Sequence, residues 1–278
     1  MKFVSCDRMG HYGRLGNQIF QYAALISLAD RLQCTPLINY NRKNPTGGDP
    51  LHKMVIDECF DLSVTRENNH IMDFRDKIDT SWSEPYHQYC PVFEQLPPGT
   101  NIMGYFQHEN YFRDKSNLIR NELTFKEEIL SKSSDVWAHR PAGPLVSLHV
   151  RRTDYLNVSH IHPQPGLDYY KRCMDMFDDD STFVVFSDDI EWCKLVFQGP
   201  RFWIQDNDHF TDLCLMTMCD HHIIGNSSFS WWGAWLNPAE NKQVLYPSVW
   251  FGDTSHLAHR NGIGELGMCP AEWKCVEV

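Results

Sequence analysis

Residues 145–154, Leu-Val-Ser-Leu-His-Val-Arg-Arg-Thr-Asp, limit what this chain can fold into more than any other stretch. A run of apolar and β-branched residues ends abruptly in His149, Arg151, Arg152 and Asp154. Such a run reads as a buried strand that delivers two guanidiniums and a carboxylate to its carboxyl end. In open α/β sheets, ligands bind at the carboxyl ends of strands. A guanidinium fork matches phosphate oxygens two at a time, so the arginine pair points to a phosphorylated ligand. Side chains along a strand alternate between faces. Arg151 and Arg152 are therefore expected on opposite faces, and only one need meet the ligand. The plain alternative is a surface ion pair between Arg152 and Asp154.

Strands and helices alternate along the rest of the chain. Lys2–Cys6 reads as a first strand, followed by a glycine-rich turn, Gly10–Gly16. Ile19, Tyr22, Ala23, Ile26 and Ala29 then recur at helical spacing, and Asn17 can cap that helix. Thr35–Tyr40 reads as a second strand and Asn41–Pro50 as a surface loop. Residues 51–100 carry no clear pattern. Ile102–Phe106 reads as a strand and Asn110–Phe125 as a helix. Arg140-Pro-Ala-Gly-Pro144 stops any regular element and is the best linker. Beyond it, Leu145–Val150, Thr182–Ser187, His222–Gly225 and Gln243–Tyr246 read as strands. Leu167–Phe177, Ile190–Phe197, Asp212–Cys219 and the Phe229–Leu236 face read as helices between them. This order predicts parallel α/β sheets, with one domain over 1–143 and a second over 144–278. The last residues are expected to be able to pack back on the first domain.

Other residues carry possible chemistry, each with a plain alternative. Gly13-Arg-Leu-Gly16-Asn17 after a strand and before a helix suits a phosphate, because a helix amino end offers free N–H donors. A tight turn needing glycines explains it equally. The Gly-x-Gly-x-x-Gly dinucleotide pattern is absent, and Asn39 and Tyr40 stand where an acidic ribose binder would be wanted, which disfavours a nicotinamide oxidoreductase. Ser227 and Ser228 at a helix start are either caps or phosphate ligands. Asp212 is either a helix cap or an acceptor for the two donors on the guanine edge. Asp178–Asp180 and Asp188–Asp189 invite a metal bridging a diphosphate, against a solvated turn for the first set and a helix start for the second. His221 and His222 have no convincing third ligand, and the Trp231–Trp235 cluster suits a core.

Composition narrows the partners. The 278 residues carry a formal net charge of −11, which disfavours nucleic acid and anionic membranes. Any anionic ligand must then be held by a local cluster of donors. No run of some 18 apolar residues predicts a membrane span. Met1–Cys6 does not read as a signal peptide, so the expected setting is soluble and cytoplasmic. The ten cysteines show no CxxC or zinc spacing, which favours reduced thiols without excluding pairs.

Taken together, these residues resemble glycosyltransferase family 11, the α-1,2-fucosyltransferases. Gly13-Arg-Leu-Gly-Asn-Gln-Ile-Phe-Gln-Tyr22 is similar to its amino-terminal signature, and His149-Val-Arg-Arg-Thr-Asp154 resembles its H-x-R-R-x-D motif. Gly104–Gln107 with Tyr111-Phe112, Phe186-Ser-Asp-Asp189 and Asn226–Trp235 match further motifs in the right order over residues 10–250. Thr153 stands where the family often has Gly. The resemblance implies a GT-B-like architecture of two Rossmann-like domains facing a central cleft. The first would be on the acceptor side and the second would bind donor.

It also implies inverting transfer of L-fucose from GDP-β-L-fucose to the 2-hydroxyl of a terminal galactose in a β-galactoside glycan, with no metal or other cofactor. Arg151 would bind the β-phosphate and Ser227 or Ser228 the pyrophosphate. Asp212 and the main chain near His149 would hold guanine, with Arg14, Asn17, Arg152 and Phe229 also on the donor. Asp154 is the candidate base, or it orients an arginine. Trp82, Tyr105 and Gln107 are the candidate acceptor contacts. A fucosyltransferase of the same superfamily with another linkage, or a non-catalytic glycan-binding module, are the alternatives. Oligomeric state is not legible.

Overall fold

The computed structural model describes residues 2–11, 13–39, 53–65, 78–85, 88–252 and 267–278. The expected loop Asn41–Pro50, together with Tyr12 and Tyr40, lies outside them. The chain forms two compact units, Met1–Lys126 and Glu127–Val278.

In the first unit, β1 (Phe3–Cys6), β2 (Thr35–Ile38), β3 (Thr80–Ser83) and β4 (Thr100–Met103) form a parallel sheet in the order β2-β1-β4-β3. Pro36 is tolerated because β2 is an edge strand. Helix α1 (Leu15–Leu32) is buried on most sides, as its two apolar faces predict. Its buried polar groups are satisfied: Gln18 donates to Lys53 O at 2.7 Å and accepts from Val55 N–H at 2.9 Å. Two short helices, α2 (Ile56–Cys59) and α3 (Ser116–Glu122), complete the unit. The expected helix Asn110–Phe125 is thus shorter. Two 3₁₀ turns, Glu109–Tyr111 and Arg113–Lys115, precede it.

The second unit begins with α4 (Glu127–Trp137). The boundary therefore falls ahead of the Arg140–Pro144 stretch, not at 143/144. Val136 and Trp137 pack against Val184, Phe186 and Leu215, which ties α4 to the second core. The order then runs β5 (Leu145–Val150), α5 (Thr153–Asn157), α6 (Leu167–Met174), β6 (Thr182–Ser187), α7 (Ile190–Val196) and β7 (Phe202–Ile204). It continues through α8 (His209–Met218), β8 (His221–Ile223), α9 (Ser228–Leu236), β9 (Val244–Pro247) and β10 (Lys274–Val276). The sheet is parallel throughout, in the order β10-β9-β8-β5-β6-β7. The last residues belong to this sheet: β10 pairs with β9, so that segment joins the second unit.

Strand alternation sorts the core into two layers. Val146, Leu148 and Val150 pack with Tyr169, Tyr170, Cys173 and Cys193 on the α6/α7 face. Leu145, Val184 and Phe186 pack with Leu215, Met216 and Cys219 on the α8 face. Helices α8 and α9 approach closely at Gly233, where a Cβ would stand 2.8 Å from Met216 Sδ. Trp231 and Trp232 are fully buried, in keeping with the core reading of that cluster. No disulfide joins any of the ten cysteines among the described residues.

Candidate donor site

From β5 the second sheet runs through β6 and β7 on one side, and through β8, β9 and β10 on the other. The order reverses between β5 and β8. That reversal opens a crevice at the strands' carboxyl ends, the place where open α/β sheets take ligands. The residues after Val150 and after Ile223 border it.

Arg151 and Arg152 follow directly on β5, and their partners differ. Arg151 Nη2 lies 2.8 Å from Asp154 Oδ1, its Nη1 lies 3.2 Å from Asp188 Oδ2, and the guanidinium stands over the Tyr155 ring. Arg152 Nε lies 3.1 Å from Asp189 Oδ2, and its guanidinium stacks 4.1 Å from the Trp192 ring centre. A cavity of about 260 Å³ with Gln164, Gly166, Tyr170 and Trp192 in its wall adjoins both arginines. The simple ion pair between Arg152 and Asp154 is therefore not formed. Asp154 belongs to Arg151.

Asp188 holds the turn together. Besides Arg151 it accepts from the Arg152 backbone N–H at 2.8 Å and from the Thr153 hydroxyl. Burial would raise its carboxyl, but Arg151, Thr153 and the Arg152 N–H outweigh that and hold it below the ordinary carboxylate range. Burial likewise opposes the charge on Arg151. Asp188 and Asp154 more than offset it, so the guanidinium binds its proton more tightly than usual. The Asp188–Asp189 pair, read as a possible metal site, is engaged with arginines. No group of three or more metal-binding side chains gathers among the described residues.

His149 is buried, and burial with the nearby Arg151 charge holds its imidazole down at about 3, so it is neutral. Its carbonyl accepts from the Tyr170 hydroxyl at 3.2 Å. Its ring lies 5.6 Å from that of Phe229. Across the crevice, Gly225 comes so near that a Cβ there would touch the His149 carbonyl at 3.4 Å. Asn226 anchors the turn by donating to Pro163 O at 2.8 Å and Trp250 O at 3.1 Å. Ser227 caps α9, its hydroxyl accepting from Phe229 N–H at 3.3 Å. Ser228 opens the helix and is half-buried. The start of α9, with its N–H groups, thus borders the β5/β8 crevice, an arrangement suited to an anion. Ser227→Ala should lower stability by about 1 kcal/mol through the lost cap, measured as a lower Tm.

Asp212 is not a helix cap. Asp208 fills that role, accepting from Phe210 N–H at 3.0 Å and Thr211 N–H at 3.1 Å. Asp212 sits one turn in and is bonded to Asn207. His221 accepts from Gln243 N–H, and buried His222 contacts Asn237, so both are structural.

The first unit places its candidates at its own carboxyl edge. Helix α1 starts at Leu15, so the cap position belongs to Arg14, and Asn17 is already inside the first turn. Gly13 has φ +80°, and a Cβ there would overlap the Asn17 side chain. Asn17 accepts from the Gln107 amide at 2.6 Å. Trp82 packs with Phe93 and Phe106, with ring centres 5.9 and 6.2 Å away. Tyr105 and Phe106 donate their backbone N–H groups to Glu84, each at 2.9 Å. Asn17 and Gln107 are thus joined, and Trp82 belongs to a neighbouring aromatic cluster.

The family model for glycosyl transferase family 11 matches residues 8–254. An α-1,2-colitosyltransferase of Escherichia coli is 30% identical, the match covering 95% of this chain and 97% of that protein. The O-antigen biosynthesis glycosyltransferase WbnK of Escherichia coli is 27% identical, over 86% and 93%. Human galactoside α-(1,2)-fucosyltransferase 1 is 27% identical over 81% of this chain and 63% of that protein. Among solved structures, POFUT1 in complex with GDP superposes with a TM-score of 0.57 at 14% identity, covering 88% of this chain and 98% of that one. Fucosyltransferase NodZ from Bradyrhizobium gives 0.52 at 13%, over 84% and 92%. The fold class is accordingly GT-B.

Proposed function

The chain belongs to glycosyltransferase family 11, and from that premise we propose that it transfers L-fucose from GDP-β-L-fucose to the 2-hydroxyl of a terminal galactose. Transfer inverts the anomeric carbon and needs no metal. The observation that carries the reading is Arg151, held by two carboxylates at the β5/β8 reversal where α9 also begins. Breaking the bond between fucose C1 and the phosphate oxygen leaves negative charge on GDP. Fixed donors disperse it: the Arg151 guanidinium, the Ser227 and Ser228 hydroxyls, and the N–H groups of α9. Asp212 takes the guanine edge, and His149 and Phe229 border the same nucleotide. Arg14 and Asn17 are assigned to the donor, and Trp82, Tyr105 and Gln107 to the acceptor. Arg152 pairs with Asp189, so its part is to hold the turn.

The acceptor hydroxyl attacks from the face opposite the departing phosphate. Asp154 stands 2.8 Å from Arg151 and serves better to orient that guanidinium than to take the proton. An oxocarbenium-like transition state places little demand on a base, and the hydroxyl proton passes to water as the new bond to C1 forms. No helix among the described residues is long and apolar enough to cross a membrane.

The colitosyltransferase relative favours a second reading, transfer of colitose to the same kind of acceptor. Incubation with GDP-fucose or a nucleotide-activated colitose, each with a panel of β-galactosides, followed by NMR of the product, separates the two. A fucosyl-α-1,2-galactose product, formed at undiminished rate in excess EDTA, is expected. A product only from colitose would replace the donor assignment. Activity lost in EDTA and restored by Mn²⁺ would overturn the metal-free mechanism. Binding of glycan without GDP uptake would mark a non-catalytic module.

A further inference from the structure

A buried polar cluster at the end of β7 belongs to no sequence motif. Gln205 is 4% exposed and Asp212 7%. The Asn207 side-chain amide bridges them, donating to Gln205 Oε1 at 3.3 Å and to Asp212 Oδ1 at 3.1 Å. That direction assigns the Gln205 amide, whose Nε2 is left buried with no partner. Asp208 already caps α8, so the Asp212 carboxylate is not needed there. Its second oxygen forms no hydrogen bond with any described residue. That oxygen is not sealed in the interior, so it can accept from a ligand bearing N–H donors. The edge of guanine offers two adjacent ones, whereas adenine offers a donor beside an acceptor.

We infer that Asn207 is a positioning residue for nucleobase recognition, holding Asp212 as an acceptor aimed at the donor edge of guanine. This rests on the GDP-linked donor proposed above. The groups facing Asp212 set the sign of its pH response. Burial pushes its carboxyl up to about 7, the Asn207 bond pulls against that, and Asp208 and Asp206 push further up. From α4, Lys132 reaches Asp208, at 3.9 Å. Only the ionised form accepts both guanine donors. Nucleotide binding near neutrality therefore releases a proton, and affinity falls as pH drops. Without Asn207 that fall begins at higher pH.

Calorimetric titration of the full chain with GDP, from about pH 6 to about pH 8.5, tests this. Wild-type affinity should fall about tenfold per pH unit below the Asp212 midpoint. Asn207→Ala should bind GDP about tenfold more weakly near pH 7, with the deficit shrinking toward the alkaline end. Asp212→Asn, which keeps the side-chain shape, should bind weakly with no pH dependence. Wild-type affinity for Asn207→Ala, or an equal loss at every pH, would overturn the inference. Failure of wild-type protein to take up GDP would instead overturn the nucleotide reading, and this inference with it.

Discussion

Arg151→Ala is expected to abolish transfer, lowering kcat by at least about 10²–10³-fold, the usual cost of one preset donor to a developing anion. The effect has two sources. The leaving diphosphate loses a guanidinium, and Asp154 and Asp188 are left as neighbouring carboxylates with no cation between them. Arg151→Lys separates the two. It keeps a positive charge for both carboxylates but not the planar fork that meets two phosphate oxygens. A folded Lys variant, confirmed by an unchanged Tm, should still lose most of kcat. Near-normal turnover in that variant would reject Arg151 as the group that stabilises the leaving diphosphate.

The second large effect is expected at Asp188, through its hold on Arg151. Its carboxylate joins three successive residues, Arg151, Arg152 and Thr153, to the end of β6. Asp188→Ala frees the turn and lets Arg151 collapse onto Asp154, so kcat/KM for the donor should fall about 10²-fold, the scale of a misplaced positioning group. Asp188→Asn keeps an acceptor for the N–H and hydroxyl but loses the charge, and should fall between. The same group contributes to acid stability. Its folded value lies below the ordinary one, so its stabilisation is present above the ordinary carboxylate range and disappears as pH falls through the folded value. Asp188→Asn should therefore flatten part of the acid limb of Tm against pH. Equal Tm slopes and full activity would show that Asp188 does not position Arg151.

Much of this was legible in residue order. The run Leu145–Val150 is continuous and apolar because a central parallel strand is buried on both faces. Ser227 acts as a cap because its hydroxyl meets an N–H two residues on, a wholly local interaction. Other elements carried little signal. Strand β7 has only three residues, Phe-Trp-Ile. Helix α4 has few apolar positions, and its allegiance to the second unit depends on packing against α8. Asp212 stays open in sequence between a cap and an acceptor because Asp206, Asp208 and Asp212 are chemically alike; the backbone geometry at Asp208 gives it the cap.

By itself, the sequence determined which residues arrive at a strand end and which cap a helix, because an apolar run and a cap act over a few positions. Tertiary structure alone decided which carboxylate each arginine meets. Pairing of β5 with β6 sets Val150 opposite Ser187, so the next residues along the two strands bring Arg151 to Asp188 and Arg152 to Asp189. That register is fixed by burial of both strands across the whole sheet. One step of slippage would turn every side chain to the wrong layer.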